Sequence, residues 1–216
     1  MSKWGMVIDV NKCVMCYACV IACKQEHFLP PDIFKTTLFV GERGEFPNAK
    51  KYVYPLQCNQ CEDAECFDVC PTGATARRDD GIITLDADKC TGCQHCITSC
   101  PYQQRTCYYG ERKEYFPGQG QTEFEAMGEK LCPYQEGTVI KCDFCVDRID
   151  AGLEKGLKPG VDRDATPACV NICMCRAKTF GDLDDPESKV SKLIKERDGY
   201  CLNPEYQAKP SIYYID

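Results

Sequence analysis

A chain of 216 residues carrying a formal charge of −7 has room for one large domain or two small ones, and it lacks the basic face that nucleic-acid binding needs, offering only scattered pairs such as Arg77–Arg78 and Lys50–Lys51. Twenty cysteines would suit a disulfide scaffold in a small secreted protein, but sixteen of them fall into four tight groups, and thiols so close cannot all pair with one another without strain. Met1–Val10 has neither a cationic stretch leading into an apolar run nor a twin-arginine pair, and no apolar segment approaches about 18 residues, so the thiols are expected to stay reduced in the cytoplasm while the chain folds, with no span of its own through a membrane.

In chain order, Met6-Val7-Ile8 predicts a strand leading into the first group, Cys13-Val-Met-Cys16-Tyr-Ala-Cys19-Val-Ile-Ala-Cys23. The segment Lys24–Gln57 follows, with Pro30-Pro31 and a glycine turn at Gly41-Glu-Arg-Gly44. Group two is Cys58-Asn-Gln-Cys61, then Cys66, then Cys70-Pro71. The turn signal Asp79-Asp80-Gly81 makes Ile82-Ile83-Thr84-Leu85 the second arm of a hairpin. Group three is Cys90-Thr-Gly-Cys93-Gln-His-Cys96-Ile-Thr-Ser-Cys100-Pro101. The stretch Pro101–Lys141 is rich in aromatics (Tyr102, Tyr108, Tyr109, Tyr115, Phe116, Phe124, Tyr134) and reads equally as a docking surface or as a cap over neighbouring metal sites. Val139-Ile140 leads into group four, Cys142-Asp-Phe-Cys145 and, after a long excursion, Cys169-Val-Asn-Ile-Cys173, with Thr179-Phe180 behind it. A helical turn is expected before each fourth cysteine, stopped by the following proline in groups two and three. Lys189–Glu196 is the one helix predicted from pattern, and most other residues are expected in loops. So irregular a chain buries too little surface alone, and bound metal should supply much of its folding energy.

Each group has the order pair, third cysteine, and a fourth placed four positions later. The run C-x2-C-x2-C-x3-C-P is the bacterial ferredoxin signature, in which three cysteines hold one cubane and the fourth reaches its neighbour. Four groups then imply two pairs of [4Fe–4S] clusters. Groups two and three, joined by a short hairpin linker, form one pair, and groups one and four are left to form the other. The ligand sets follow: Cys13, Cys16, Cys19 and Cys173; Cys142, Cys145, Cys169 and Cys23; Cys58, Cys61, Cys66 and Cys100; Cys90, Cys93, Cys96 and Cys70. Zinc would leave the third and fourth cysteines of groups one to three without a task. Cys107, Cys132, Cys175 and Cys201 remain, read as ordinary buried thiols. His27 and His95 complete no ligand set, although His95, inside group three, is placed to tune a cluster. Lys24, Lys89, Arg105, Lys141, Arg148 and Arg176 flank the groups and either raise cluster potentials or simply offset charge. No phosphate loop, dinucleotide fingerprint or nucleophile–base pair appears, so no catalytic residue is assigned.

The four groups in this order, with Cys169-Val-Asn-Ile-Cys173, Ala177-Lys-Thr-Phe-Gly-Asp-Leu-Asp-Asp-Pro186 and Lys209-Pro-Ser-Ile-Tyr-Tyr214, resemble the four-cluster electron-transfer (beta) subunits of the dimethyl-sulfoxide-reductase superfamily of molybdenum and tungsten enzymes, over nearly the whole chain. The resemblance implies an α+β, loop-rich fold of two bacterial-ferredoxin-like units, one inserted in the other. The first would comprise 1–57 and 101–186, with an insertion at 101–141, and the second 58–100; 187–216 would be a C-terminal extension. It further implies a non-catalytic subunit of anaerobic respiration. Four clusters would form a wire from a large bis-pterin catalytic subunit, nearest the Cys13 set, to a quinone or haem membrane subunit or a soluble acceptor near the Cys90 set. Such a subunit works in the cytoplasm or is exported with a twin-arginine-signalled partner, and meets a membrane only through partners. A polyferredoxin-like subunit of a cytosolic hydrogenase or formate–hydrogen system is the alternative. Met174 stands where the family usually has proline, and Cys175 is unusual beside it.

Overall fold

The computed structural model describes residues 2–110 and 114–216. Its elements are β1 (Trp4–Asp9), α1 (Ala18–Glu26), β2 (Thr36–Arg43), β3 (Lys50–Gln57), α2 (Glu65–Asp68), β4 (Thr75–Arg77), β5 (Ile83–Leu85), α3 (His95–Thr98) and β6 (Arg105–Cys107). They continue with α4 (Glu123–Leu131), β7 (Val139–Lys141), α5 (Val146–Glu154), α6 (Ala168–Asn171), β8 (Lys178–Asp182), α7 (Lys189–Glu196) and β9 (Ile212–Ile215).

Every residue of β1 is buried, because it is the middle strand of the one three-stranded sheet among the described residues. It pairs antiparallel with β8 and parallel with β9, so that Met6 faces both Phe180 and Ile212. Alternation sends Met6 and Ile8 to one side, against Phe144, Ile149, Phe180 and Tyr214, and Val7 to the other, against Val190 of α7. The sheet therefore ties the strand entering group one to the strand leaving group four. It also absorbs the C-terminal segment: β9 lies in the sheet, and just before it Glu62 N–H donates to Lys209 O and Ser211 N–H to Asn59 O.

The remaining strands form two-stranded antiparallel pairs: the short hairpin β4–β5, the eight-residue hairpin β2–β3, and β6–β7, whose short strands are joined through the segment that carries α4. The expected strands at Met6–Ile8, Ile82–Leu85, Val139–Ile140 and Thr179–Phe180 are present within a residue or two, and α7 spans the residues predicted for it. The long β2–β3 hairpin is a difference from the expected loop. Its outer half is exposed on both faces, so no alternation marks it, and Pro55 in β3 argues locally against a strand. Gly41 belongs to this strand rather than to a turn: the Tyr52 ring lies across it, and a Cβ there would come within 2.3 Å of the ring.

A second difference concerns the helices. α2, α3 and α6 are four residues long, as expected of single turns, but α1 is nine residues long and runs past Cys23 to Glu26. No proline follows Cys23 to stop it, as Pro71 and Pro101 follow Cys70 and Cys100. The insertion carries its own helix, α4, begun by a capping box in which Glu125 N–H donates to Thr122 Oγ1 and Thr122 N–H donates to Glu125 Oε2.

Candidate metal centres

The four C-x2-C pairs share one backbone feature. The residue before the second cysteine is left-handed in each: Met15 (φ 57°), Gln60 (48°), Gly92 (67°) and Phe144 (58°). Three of these are not glycine, and such residues hold this conformation only where their surroundings impose it. A matching turn follows the fourth cysteine in three groups. Gly73, Gln103 and Arg176, also left-handed, donate their N–H groups back to the carbonyls of Cys70, Cys100 and Cys173. Met174 occupies the place of Pro71 and Pro101, yet the turn closes in the same way.

These turns bring the thiols together in sets of four, three from one group and one from another. Cys13, Cys16, Cys19 and Cys173 line one cavity, with Cys175 and Lys178 beside them. Cys58, Cys61, Cys66 and Cys100 line a second, with Tyr102 and Arg105. Cys70, Cys90, Cys93 and Cys96 line a third, with Thr75. Cys23, Cys142, Cys145 and Cys169 gather in the interior, where Cys23, Cys145 and Cys169 are buried. Burial, reinforced by repulsion from Cys169, pushes the Cys23 thiol up to about 12. Burial likewise raises Cys142 and Cys145, each further raised by Cys169. At the other extreme Cys16 and Cys93 are exposed.

The donor set fits an iron–sulfur cluster. All twenty cysteines are free thiols. Among the described residues no three Cys, His, Asp or Glu side chains form a single-ion site. Thiols spread around a cavity match a polynuclear cluster. Donors also point at sulfur: Ala177 N–H to Cys173 Sγ at 3.2 Å and Arg105 Nη2 to Cys66 Sγ at 3.0 Å. Burial pushes the Cys70 thiol up, but the amides of Thr75, Thr72 and Ala74 and the Thr72 hydroxyl outweigh it and bring it to about 7. Two buried polar atoms, Tyr102 Oη and Arg105 Nε, lack a hydrogen-bond partner among the described residues, and both side chains line the second cavity. Such orphans are rare in folded proteins and call for a bound group.

The flanking cations divide. Arg105 and Lys141 are buried among the thiols. Lys24 donates to the carbonyls of Pro30, Pro31 and Ile33, Lys89 pairs with Asp86, Arg148 pairs with Glu26, and Arg176 is exposed. His95 is exposed, while His27 places Nε2 3.3 Å from Cys145 Sγ, so it is His27 that neighbours a thiol. Of the four spare cysteines only Cys107 is buried; Cys132, Cys175 and Cys201 are half-buried. The sequence reading passed over two buried lysines. Lys35 pairs with Asp143 at 3.1 Å, and Lys178 opens β8 five residues after Cys173. The signal for Lys178 was alternation, which turns it to the same side as the core residue Phe180.

Ferredoxin-type turns carrying all-thiol sites define an iron–sulfur protein. A family model described as a 4Fe-4S dicluster domain matches residues 49–115, the stretch holding groups two and three. The chain is similar to a subunit of selenate reductase from Mesobacillus selenatarsenatis (37% identical, covering 99% of this chain and 72% of the relative) and to a putative dimethyl sulfoxide reductase iron–sulfur subunit from Halobacterium salinarum (37%, 100% and 80%). It is also similar to the arsenate respiratory reductase iron–sulfur subunit of a Shewanella species (34%, 99% and 96%). The chain belongs to the iron–sulfur electron-transfer (beta) subunits of the dimethyl-sulfoxide-reductase superfamily, and it carries [4Fe–4S] clusters.

Proposed function

We propose that this chain is the non-catalytic wire of a molybdenum or tungsten oxidoreductase, holding four [4Fe–4S] clusters between a bis-pterin catalytic subunit and a quinone or haem membrane subunit or a soluble acceptor. The observation that carries the reading is the three-plus-one gathering of thiols. Cys13, Cys16, Cys19 and Cys173 would hold the first cluster, Cys142, Cys145, Cys169 and Cys23 the second, Cys58, Cys61, Cys66 and Cys100 the third, and Cys90, Cys93, Cys96 and Cys70 the fourth. Bound there, each cluster supplies a one-electron store, and the protein's part is to space, insulate and tune the four.

A linear order is supported by neighbouring charges: Cys19 senses Cys169, Cys142 senses Cys58, and Arg105 reaches both Cys66 and Cys96. The exposed thiols, Cys16 and Cys93, then belong to the two ends. The exchange of fourth cysteines between groups one and four, and between two and three, favours two ferredoxin-like units, 58–100 inserted into 1–57 and 101–186, with 187–216 as an extension.

The catalytic partner is assigned to the first end. Val14, Tyr17, Ile21 and Met174 are exposed there, as are Phe39, Val40 and Phe46 on the β2–β3 hairpin, whose Leu38 and Pro55 line the first cavity. Clustered exposed apolar surface of this kind marks an interface. Among the described residues no helix is long and apolar enough to cross a membrane, and membrane attachment or twin-arginine export would come through partners. The relatives, named as reductase subunits, favour this reading over a hydrogenase-type polyferredoxin. Anaerobic metal analysis of the native complex tests it. About sixteen irons and sixteen sulfides per chain, with one molybdenum or tungsten in a larger co-purifying subunit, is the expected result. About eight irons would overturn the four-cluster assignment, and zinc in place of iron the entire reading.

A further inference from the structure

Five cations are buried, and the three most removed from solvent are Lys178 and Arg105 at 4% exposure and Lys141 at 5%. None of these three forms a salt bridge with a carboxylate among the described residues. A buried cation without an ion-pair partner is expensive, so negative charge must lie close to each; the Asp143 carboxylate, paired with Lys35, acts also on Lys141. Their positions show where it lies.

Lys178 lines the first cavity alongside Cys13, Cys16, Cys19 and Cys173, and its ammonium donates to Gln57 Oε1 at 2.9 Å. Its charge acts on Cys169 of the interior set and on Cys19 of the first cavity. Lys141 donates to Cys142 O at 2.8 Å, within the interior set, and to Ile83 O, and Ile83 lines the second cavity. Arg105 donates through Nη2 to Cys66 Sγ of the second cavity and through Nη1 to Thr75 Oγ1 at 3.1 Å, and Thr75 lines the third. Each cation thus stands in one of the three partitions between successive thiol sets. Of the other two buried cations, Lys35 pairs with Asp143, and Lys24 donates to the carbonyls of Pro30, Pro31 and Ile33.

We propose that Lys178, Lys141 and Arg105 are fixed junction charges, one between each successive pair of clusters, each raising the reduction potentials of both clusters it separates. The assignment rests on the four ligand sets proposed above. A cluster held by four thiolates is net negative and gains a further negative charge on reduction, so neighbouring clusters in a wire oppose each other's reduction. A positive charge in the partition stabilises the reduced form on either side and lets adjacent clusters fill in succession.

The test is an EPR-monitored redox titration of the intact complex carrying Lys178→Met, Lys141→Met or Arg105→Met, with iron counted in each. Every variant should move two of the four midpoints downward, by about 59 mV or more, a tenfold change in a one-electron equilibrium. The affected pairs should overlap in a fixed pattern. Lys178→Met and Lys141→Met share one cluster, Lys141→Met and Arg105→Met share another, and Lys178→Met and Arg105→Met share none. Arg105→Lys, which keeps the charge, should leave the midpoints in place. Unchanged midpoints in an iron-replete variant, equal shifts in all four clusters, or a shift in Arg105→Lys as large as in Arg105→Met would overturn the proposal. Each junction makes its own prediction, so a variant that loses iron leaves the decision to the other two. Low iron in the unsubstituted complex would instead defeat the ligand assignment.

Discussion

The surroundings of β1 and the stretch 58–100 achieve order by different means. Around β1 the chain builds a side-chain core, with Met6, Ile8, Ile149 and Ile212 fully buried under Phe144, Phe180 and Tyr214. The stretch 58–100 contributes Ile82 to that core and otherwise buries Ile83, Ala64, Ala74 and polar residues such as Asn59, Gln60 and Thr75. Its helices are single turns and its hairpin is three residue pairs long. What it lacks in apolar burial it replaces with thiols and borrowed hydrogen bonds. Gln60 Nε2 donates to Cys142 O at 2.7 Å, Gln60 Oε1 accepts from Ile83 N–H at 2.8 Å, and Ser211 Oγ donates to Gln60 O at 3.0 Å. The contrast teaches that a metal can serve as the core of one part of a chain while side chains serve another.

Iron removal is the severest way to break this comparison. Anaerobic chelation should abolish amide protection across 58–100 while slow exchange survives longest in β1, β8 and β9. Simultaneous loss in both regions, read by hydrogen exchange, would end the distinction. Truncation sharpens it from the other side. Ile8→Ala should cost about 2–5 kcal/mol in denaturant unfolding of the iron-loaded protein, whereas Ile97→Ala, at a half-buried position between Cys96 and Cys100, should cost under about 1 kcal/mol. Equal losses would show that 58–100 has a side-chain core after all. Gln60→Ala cuts the link between the regions, leaves Ile83 N–H unpaired and takes from Cys142 O one of its two donors, for a loss of about 1–3 kcal/mol, which Gln60→Glu would only partly restore. The smallest effect is expected at Thr122→Ala, about 1 kcal/mol from the lost cap of α4, with the visible cluster spectrum unchanged.

Legibility in the sequence followed the range of the interactions involved. The strands at Met6–Ile8, Ile82–Leu85 and Val139–Ile140 announced themselves because short β-branched runs stood against turn residues or cysteines. Helix α7 showed because its apolar residues Val190, Leu193 and Ile194 keep the helical spacing among lysines. The β2–β3 hairpin did not show: an arm exposed on both faces has no alternation, and Gly41 is explained only by Tyr52 across the strand pair. The single turns of α2 and α3 stop ahead of Pro71 and Pro101 and α1 meets no proline, yet α6 is a single turn with Met174 in that place. Among the candidate ligands, local spacing grouped the thiols three at a time, and the fold brings Cys173 beside Cys13 and Cys100 beside Cys58. His95 drew notice for lying inside a cysteine group, yet it faces solvent, and His27, remote from group four in the chain, lies against Cys145.

By itself the sequence determined the chemistry of the bound group, because ligand type and the reach of a few residues are local properties: closely spaced thiolates with two-residue gaps suit iron and sulfide and cannot be satisfied by disulfides. Only the tertiary structure decided the electrostatic setting of those thiols. It left Arg176 and Lys89 in water and turned Lys178, Lys141 and Arg105 inward. Whether a cation is screened by solvent or buried between two sets of thiols depends on which strands pack around it, and that is set by contacts between residues far apart in the chain.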